Sequence, residues 1–226
     1  TFSFCSRKRA ELLMPPGFEV VEVDDDRRKE EPAVRPSVLT GLLNSRLANQ
    51  NAHARVEGGV RLFEIASVVA QKPLRAGEAI PESVEHVSLG LLVDVPVSGR
   101  TPTIGELQSG VRLMRGAIEA MAISMWGAGA ELKVEPCAPY CPAFDEHAFA
   151  RLSLGGRQLG TIGLLSETVM KEWDLSTPVV GAELNLETLI AGYPPKVRIE
   201  ALPAFPGIDR DVSLIVNESV TWDRVR

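Results

Sequence analysis

With 226 residues, 45% of them hydrophobic and 24% charged, the chain can bury a sizeable core, and this excludes disorder across most of its length. A net charge of −6 argues against a self-sufficient nucleic-acid grip, which is normally basic. No apolar run approaches the roughly 18 residues that a membrane span needs, and no signal-peptide pattern opens the chain. The three cysteines, Cys5, Cys137 and Cys141, are too few for a disulfide scaffold and suit a reducing compartment, the cytoplasm. The basic clusters Arg7-Lys8-Arg9 and Arg27-Arg28-Lys29 read as solvated surface. The second sits among Asp24, Asp25, Asp26, Glu30 and Glu31, which neutralise much of its field.

In chain order, residues 1–5 read as a strand, and residues 20–23 as a short strand inside a turn-rich, charged stretch. Pro36 and Ser37 open a helix over 37–49, in which Val38, Leu39, Leu42, Leu43 and Leu47 fall at helical spacing. Residues 60–69 form a strand in which Leu62 and Phe63 are adjacent, which predicts burial on both faces. After a loop over 71–83 comes an apolar strand at 87–95 and a second loop at 96–105. Leu107, Val111, Met114, Ile118, Met121 and Met125 then step by four, three, four, three and four, one stripe along a long helix whose methionines read as core. Strands follow at 131–135, 148–154 and 158–165, the last two joined by a Gly155-Gly156 hairpin turn. Ser166 caps a short helix, 178–186 is a strand, 187–191 is one helical turn, and Tyr193-Pro194-Pro195 is a linker. Two further strands are expected at 197–202 and 211–216, and a helix is starting at 221–226. Strands outnumber helices and hairpins join them, so the fold class is α+β, a mostly antiparallel sheet with helices packed on it. A chain opening on a strand and closing on a starting helix reads as a piece of a longer one.

The common catalytic signatures are missing: no phosphate-binding Gly-x-x-x-x-Gly-Lys-Ser/Thr loop, no Gly-x-Ser-x-Gly elbow, no His-Glu-x-x-His helix. Cys137, Cys141 and His147 have a spacing compatible with zinc, but a structural site needs a fourth ligand. Pro136, Pro139 and Pro142 make a stiff loop with free thiols the better reading. Asp145, Glu146 and His147 suggest acid–base work, yet neighbours on an extended chain point to opposite faces, so a solvated turn is expected. His53 and His86 receive no role. Arg61 and Glu64 are expected to form a structural ion pair if both face inward. No residue is assigned a catalytic, cofactor-binding or metal-ligating role.

The order of several segments resembles the β chain of bacterial phenylalanine–tRNA synthetase. Thr1-Phe2-Ser3-Phe4 is similar to that family's threonine/serine–aromatic strand, and the run from Val34 to Leu43 resembles its Leu-Arg-x-Ser-Leu-Leu-x-Gly-Leu-Leu helix start. Val60-Arg61-Leu62-Phe63-Glu64-Ile65 resembles its Val-x-Leu-Phe-Glu-Ile-Gly strand. Gly160-Thr161-Ile162-Gly163 and Val179 to Leu186, with Glu183-Leu184, look like two more of its blocks. Pro203 to Val216 resembles the opening of its ferredoxin-fold anticodon-binding domain. Three family features are replaced here, by Glu106-Leu107-Gln108-Ser109, by Asp145-Glu146-His147 and by Ser166-Glu167.

The resemblance implies a class II aminoacyl-tRNA synthetase-like sheet flanked by helices over residues 1–193. Residues 194–226 would be the incomplete start of the anticodon-binding domain. It implies a part in an ATP-dependent phenylalanine–tRNA ligase that charges tRNA-Phe in protein biosynthesis, with ATP and magnesium belonging to the holoenzyme and no cofactor in this piece. Arg61-Leu62-Phe63-Glu64 has the wrong spacing for the family's Arg-x-Glu strand, and no Gly-x-Gly-x-x-Arg follows. A triphosphate needs fixed cations and backbone donors. The piece therefore reads as a non-catalytic scaffold for the catalytic α subunit, contacting tRNA-Phe through the holoenzyme and no membrane. Candidate contact faces are the helices at 37–49 and 107–125. Two alternatives stand beside it: a stand-alone interaction domain, and a module retaining an amino-acid or adenylate pocket.

Overall fold

Two short strands, β1 (Phe4–Cys5) and β2 (Ala33–Val34), pair at the edge of a helical layer formed by α1 (Arg7–Leu13) and α2 (Leu39–Asn51). The chain then enters a long hairpin, β3 (Arg61–Gln71) and β4 (Ser83–Asp94), and the long helix α3 (Ile104–Trp126). β5 (Leu132–Pro136), β6 (Phe144–Leu154) and β7 (Arg157–Leu165) follow as a meander, then α4 (Glu167–Glu172), β8 (Val179–Asn185) and α5 (Leu186–Ile190). The computed structural model describes residues 3–24, 26–54, 56–74, 80–99, 101–195, 210–217, 220 and 225. It divides the chain into two compact units, 1–196 and 197–226.

In the first unit one six-stranded sheet has the order β3-β4-β8-β7-β6-β5, and every neighbouring pair is antiparallel. The α+β expectation is met: the sheet has helices on both faces. Alternation along each strand sends successive side chains to opposite faces. Val68, Leu92, Phe149 and Leu165 meet α1, α2 and Trp173 on one side, while Leu89, Val93, Leu152 and Val180 meet α3 and α5 on the other. The stripe on α3 is core: Met114 and Ile118 are fully buried, each worth about 1.5–3 kcal/mol of apolar burial. Thr103 starts that helix with a capping box, its hydroxyl accepting from the Glu106 N–H while the Glu106 carboxylate accepts from the Thr103 N–H. The Gly155-Gly156 hairpin forms as expected, both residues at positive φ (56° and 76°).

Four expectations are corrected. In the Arg7-Lys8-Arg9 cluster Arg7 and Lys8 are surface as expected, but Arg9 is not. Ser6 caps a helix there, and Arg9 stacks 4.8 Å over Trp173, donates to Asn44 and pairs with Glu172, tying α1 to α2 and α4. The basic residues concealed the small apolar side of α1, Ala10 and Leu13. Burial of β3 is one-sided: Phe63 is 73% and Ile65 53% exposed, because this strand lies at the sheet edge. Residues 20–23 form only an isolated bridge, Glu22 to Ala33. In the second unit residues 211–216 have no regular secondary structure. The strand expected at 197–202, and the helix start at 221–226 apart from Val225, lie outside the described residues.

Two substitutions on α3 test its local physics by urea denaturation. Thr103→Ala is expected to lower stability by about 1 kcal/mol through loss of the cap. Gly116→Ala, at an open position with nothing within 4 Å of an added Cβ, is expected to raise it by about 0.5–1 kcal/mol.

Candidate functional site

A polar row crosses the sheet. The strand registers place Glu64 beside Gly90, Gly90 beside Glu183, Glu183 beside Thr161, Thr161 beside Arg151 and Arg151 beside Glu135. Directly paired residues share a face, so β3 to β5 carry this row on the face that bears α1 and α2. Over its middle lies a cleft of about 460 Å³, lined among others by Glu183, Thr161, Arg151, Tyr140, Phe149 and Ser88. That size is typical of a small-molecule site.

Glu183 is the centre of the floor. Its carboxylate accepts a very short hydrogen bond from the Ser37 hydroxyl and one of 3.2 Å from the Val38 N–H. Val38 stands at the start of α2 and its own side chain makes no cap bond; the Ser37 hydroxyl accepts from the Leu39 N–H at 3.1 Å, and the Glu183 carboxylate takes the Val38 N–H from the sheet. The close approach depends on Gly90, where a Cβ would lie 2.9 Å from Val38 Cγ1. Burial raises the Glu183 pKa above the ordinary carboxylate value. Hydrogen bonds from Ser37, Val38 and Ser88, and the charge of Arg35, pull the other way. Arg35 itself donates to Glu64 Oε1 at 2.7 Å, an ion pair buried at both ends, while Glu64 Oε2 accepts nothing among the described residues.

The cleft wall is aromatic. Tyr140 packs edge-on against Phe144 and Phe149 at centroid distances of 6.0 and 5.7 Å. Burial pushes the Tyr140 phenol up, and so keeps it neutral. Burial likewise pushes the Cys141 thiol up to about 11, which makes it a poor nucleophile at neutral pH. At the rim, burial lowers the pKa of His86, favouring neutral imidazole. Arg151 lines the cleft and has no hydrogen-bond or ion-pair partner among the described residues.

The residues singled out from sequence mostly lie elsewhere. At the start of β6, Glu146 and His147 are exposed and Asp145 is half-buried. The His147 N–H bonds Asp145 at 2.9 Å and its ring lies 3.3 Å from Glu146. Cys137 and Cys141 are free thiols, and no group of three or more metal-binding side chains occurs among the described residues. Arg61 is exposed, and Glu64 takes Arg35 as its partner instead. His53 is exposed, whereas His86 reaches the cleft rim. The sequence search missed Glu183 as a site residue. The available signal is a carboxylate inside an otherwise apolar strand, which must be paid for by partners. Those partners, Ser37 and Val38, are about 145 residues away and invisible locally.

Residues 1–186 match the family described as the phenylalanyl tRNA synthetase beta chain CLM domain. The phenylalanine–tRNA ligase beta subunit of Geobacillus kaustophilus is 28% identical over 222 residues, covering 97% of this chain and 26% of that protein. That of Rhodopirellula baltica is 28% identical over 199 residues, covering 85% and 26%. The chain thus spans about a quarter of the length of these curated relatives. In fold it is similar to the solved pyrrolysyl tRNA synthetase PylSc of Desulfitobacterium hafniense, with a TM-score of 0.53 and 17% identity over 84% of this chain and 60% of that one.

A group whose pKa is raised on folding adds stability below its unfolded pKa and loses that contribution as pH rises through the folded one. Glu183→Gln never takes the charge. Between about pH 5 and about pH 8 the variant is therefore expected to lose less unfolding free energy than the parent chain. Equal losses in urea titrations at the two pH values would contradict this account of the buried carboxylate.

Proposed function

The chain belongs to the phenylalanyl tRNA synthetase beta chain CLM domain family, and on that premise we propose that it is a non-catalytic, class II synthetase-like module of a phenylalanine–tRNA ligase, serving as a scaffold for the catalytic α subunit. The whole ligase joins phenylalanine to tRNA-Phe at the expense of ATP, in the cytoplasm. This module meets tRNA-Phe through the holoenzyme. Residues 194–226 are the beginning of its anticodon-binding domain. No described helix is long and apolar enough to cross a membrane.

The observation that carries the non-catalytic reading is the floor of the cleft. Where a triphosphate would need converging cations, the sheet presents the Glu183 carboxylate. The nearby Arg35 guanidinium is already committed to Glu64, and Arg151 stands as a single cation two strands away from Glu183, not the converging set a triphosphate needs. Two like-charged groups in a low-dielectric cleft repel strongly, which disfavours a triphosphate here, and on this reading ATP and magnesium belong to the holoenzyme's other subunit.

The scaffold reading rests on exposed apolar surface. α2 is excluded as a contact face, since Leu39, Leu42, Leu43 and even Arg46 are buried in this module. Phe63, Ile65 and Val87 stand together on the outer face of β3 and β4, at 73%, 53% and 43% exposure. The outer edge of β3 is met from its middle to its end, by Arg35 at Ser67 and Val69 and by Glu19 at Gln71. An unblunted apolar edge is a natural place for a subunit to add. The opposite edge, β5, carries Lys133, Glu135 and Pro136, residues that discourage strand addition.

Mixing the chain with a catalytic α subunit and sizing the product by light scattering should give a complex of the two. Phe63→Asp is expected to weaken that association at least about tenfold while changing stability by no more than about 0.5 kcal/mol, since an exposed position costs little. Failure of the parent chain to associate would remove the scaffold reading. Heat released on titrating phenylalanine or ATP into the chain alone would favour a retained substrate pocket.

A further inference from the structure

The cleft has a charge pattern that neither a scaffold role nor a buried ion pair explains. Glu183 on β8 and Arg151 on β6 share one face and one row, with Thr161 of β7 between them. Strands lie about 4.8 Å apart, so their backbones are separated by about 10 Å. Glu183 is bonded from behind by Ser37 and Val38 yet keeps partial exposure and lines the cleft. Arg151 lines the same cavity and has no partner among the described residues. The same cavity is lined by Tyr140 and Phe149, an aromatic pair at 5.7 Å.

We infer that this cleft binds a small dipolar molecule whose ammonium group meets Glu183 and whose carboxylate or phosphate meets Arg151, with a flat apolar body lying on Tyr140 and Phe149. Each feature of the cavity has a matching part in such a ligand. A cation beside Glu183 offsets the desolvation that burial imposes on its carboxylate, and it also gains from the π faces nearby. The Thr161 hydroxyl can accept from the same ammonium. An anion at the rim gives the Arg151 fork a bidentate partner. His86, favouring its neutral form, does not compete for the anion. A molecule with both charges on one carbon spans the row poorly, because the two binding groups stand two strands apart. This inference does not rest on the scaffold reading.

The test is a ligand-detected NMR titration of the chain with four probes: 4-(aminomethyl)benzoate, benzylamine, benzoate and L-phenylalanine. The first, with its charges held apart by a ring, is expected to bind at least about tenfold more tightly than the other three. Arg151→Gln should reduce its affinity to that of benzylamine, Glu183→Gln to that of benzoate, and Tyr140→Leu should weaken every probe that binds. Arg157→Gln, an exposed arginine outside the cleft, should change nothing. Because Arg151 is at the surface, its variant keeps the inference testable even if Glu183→Gln fails to fold. Equal affinity for all four probes, preference for L-phenylalanine, no binding at all, or indifference to Arg151→Gln would each overturn it.

Discussion

The first module depends on how α2 is fixed to the sheet. A helix start leaves backbone N–H groups without partners; at α2 the Ser37 hydroxyl takes the Leu39 N–H, and the Val38 side chain makes no cap bond. Glu183 reaches it from the central strand β8 and accepts from Val38. About two turns further on, Arg46 donates to Asp94 of β4 at 2.6 Å, and the other oxygen of Asp94 accepts from the Val60 N–H at 2.9 Å. The Arg46–Asp94 pair is buried at both ends and Glu183 is half-buried, and buried charges are costly unless every partner is in place. Their effect is to specify one docking of α2 on the sheet, because any slip would strand a charge in the core.

That docking has a consequence for the cleft. Since Glu183 is occupied from behind by α2, it is held at the cavity floor with little freedom to swing. The same residue thus caps a helix and gives the cavity a negative floor. A framework shared with ligases keeps its sheet and helices here while the charge at its centre is of the sign that repels phosphate. Fold and chemistry are separable in this way because the sheet is held by backbone pairing and apolar packing, which do not depend on which polar side chain occupies the middle of one row.

The edges of the sheet show a second separation. β5 is blunted by charge and proline, whereas β3 leaves Phe63 and Ile65 open. The expectation of two-sided burial for β3 came from adjacent apolar residues, a pattern that fits a central strand. It fits equally an edge strand whose second face awaits a partner, and pattern alone cannot tell these apart.

What the sequence by itself determined was the periodic part of the structure. α3 was legible from its four-three spacing, the β6–β7 hairpin from Gly155-Gly156, and α4 from Ser166, since each signal lies within a few residues of the element it specifies. The ordered blocks also carried the family. What only tertiary structure decided was which polar residues meet. Glu183 with Ser37, Arg35 with Glu64, Arg9 with Trp173 and Arg151 with an open cleft are pairings across strands and layers. They are set by the strand order and by the face each side chain takes. Those are properties of the assembled sheet, because a one-residue change of register would send every member of the row to the opposite side.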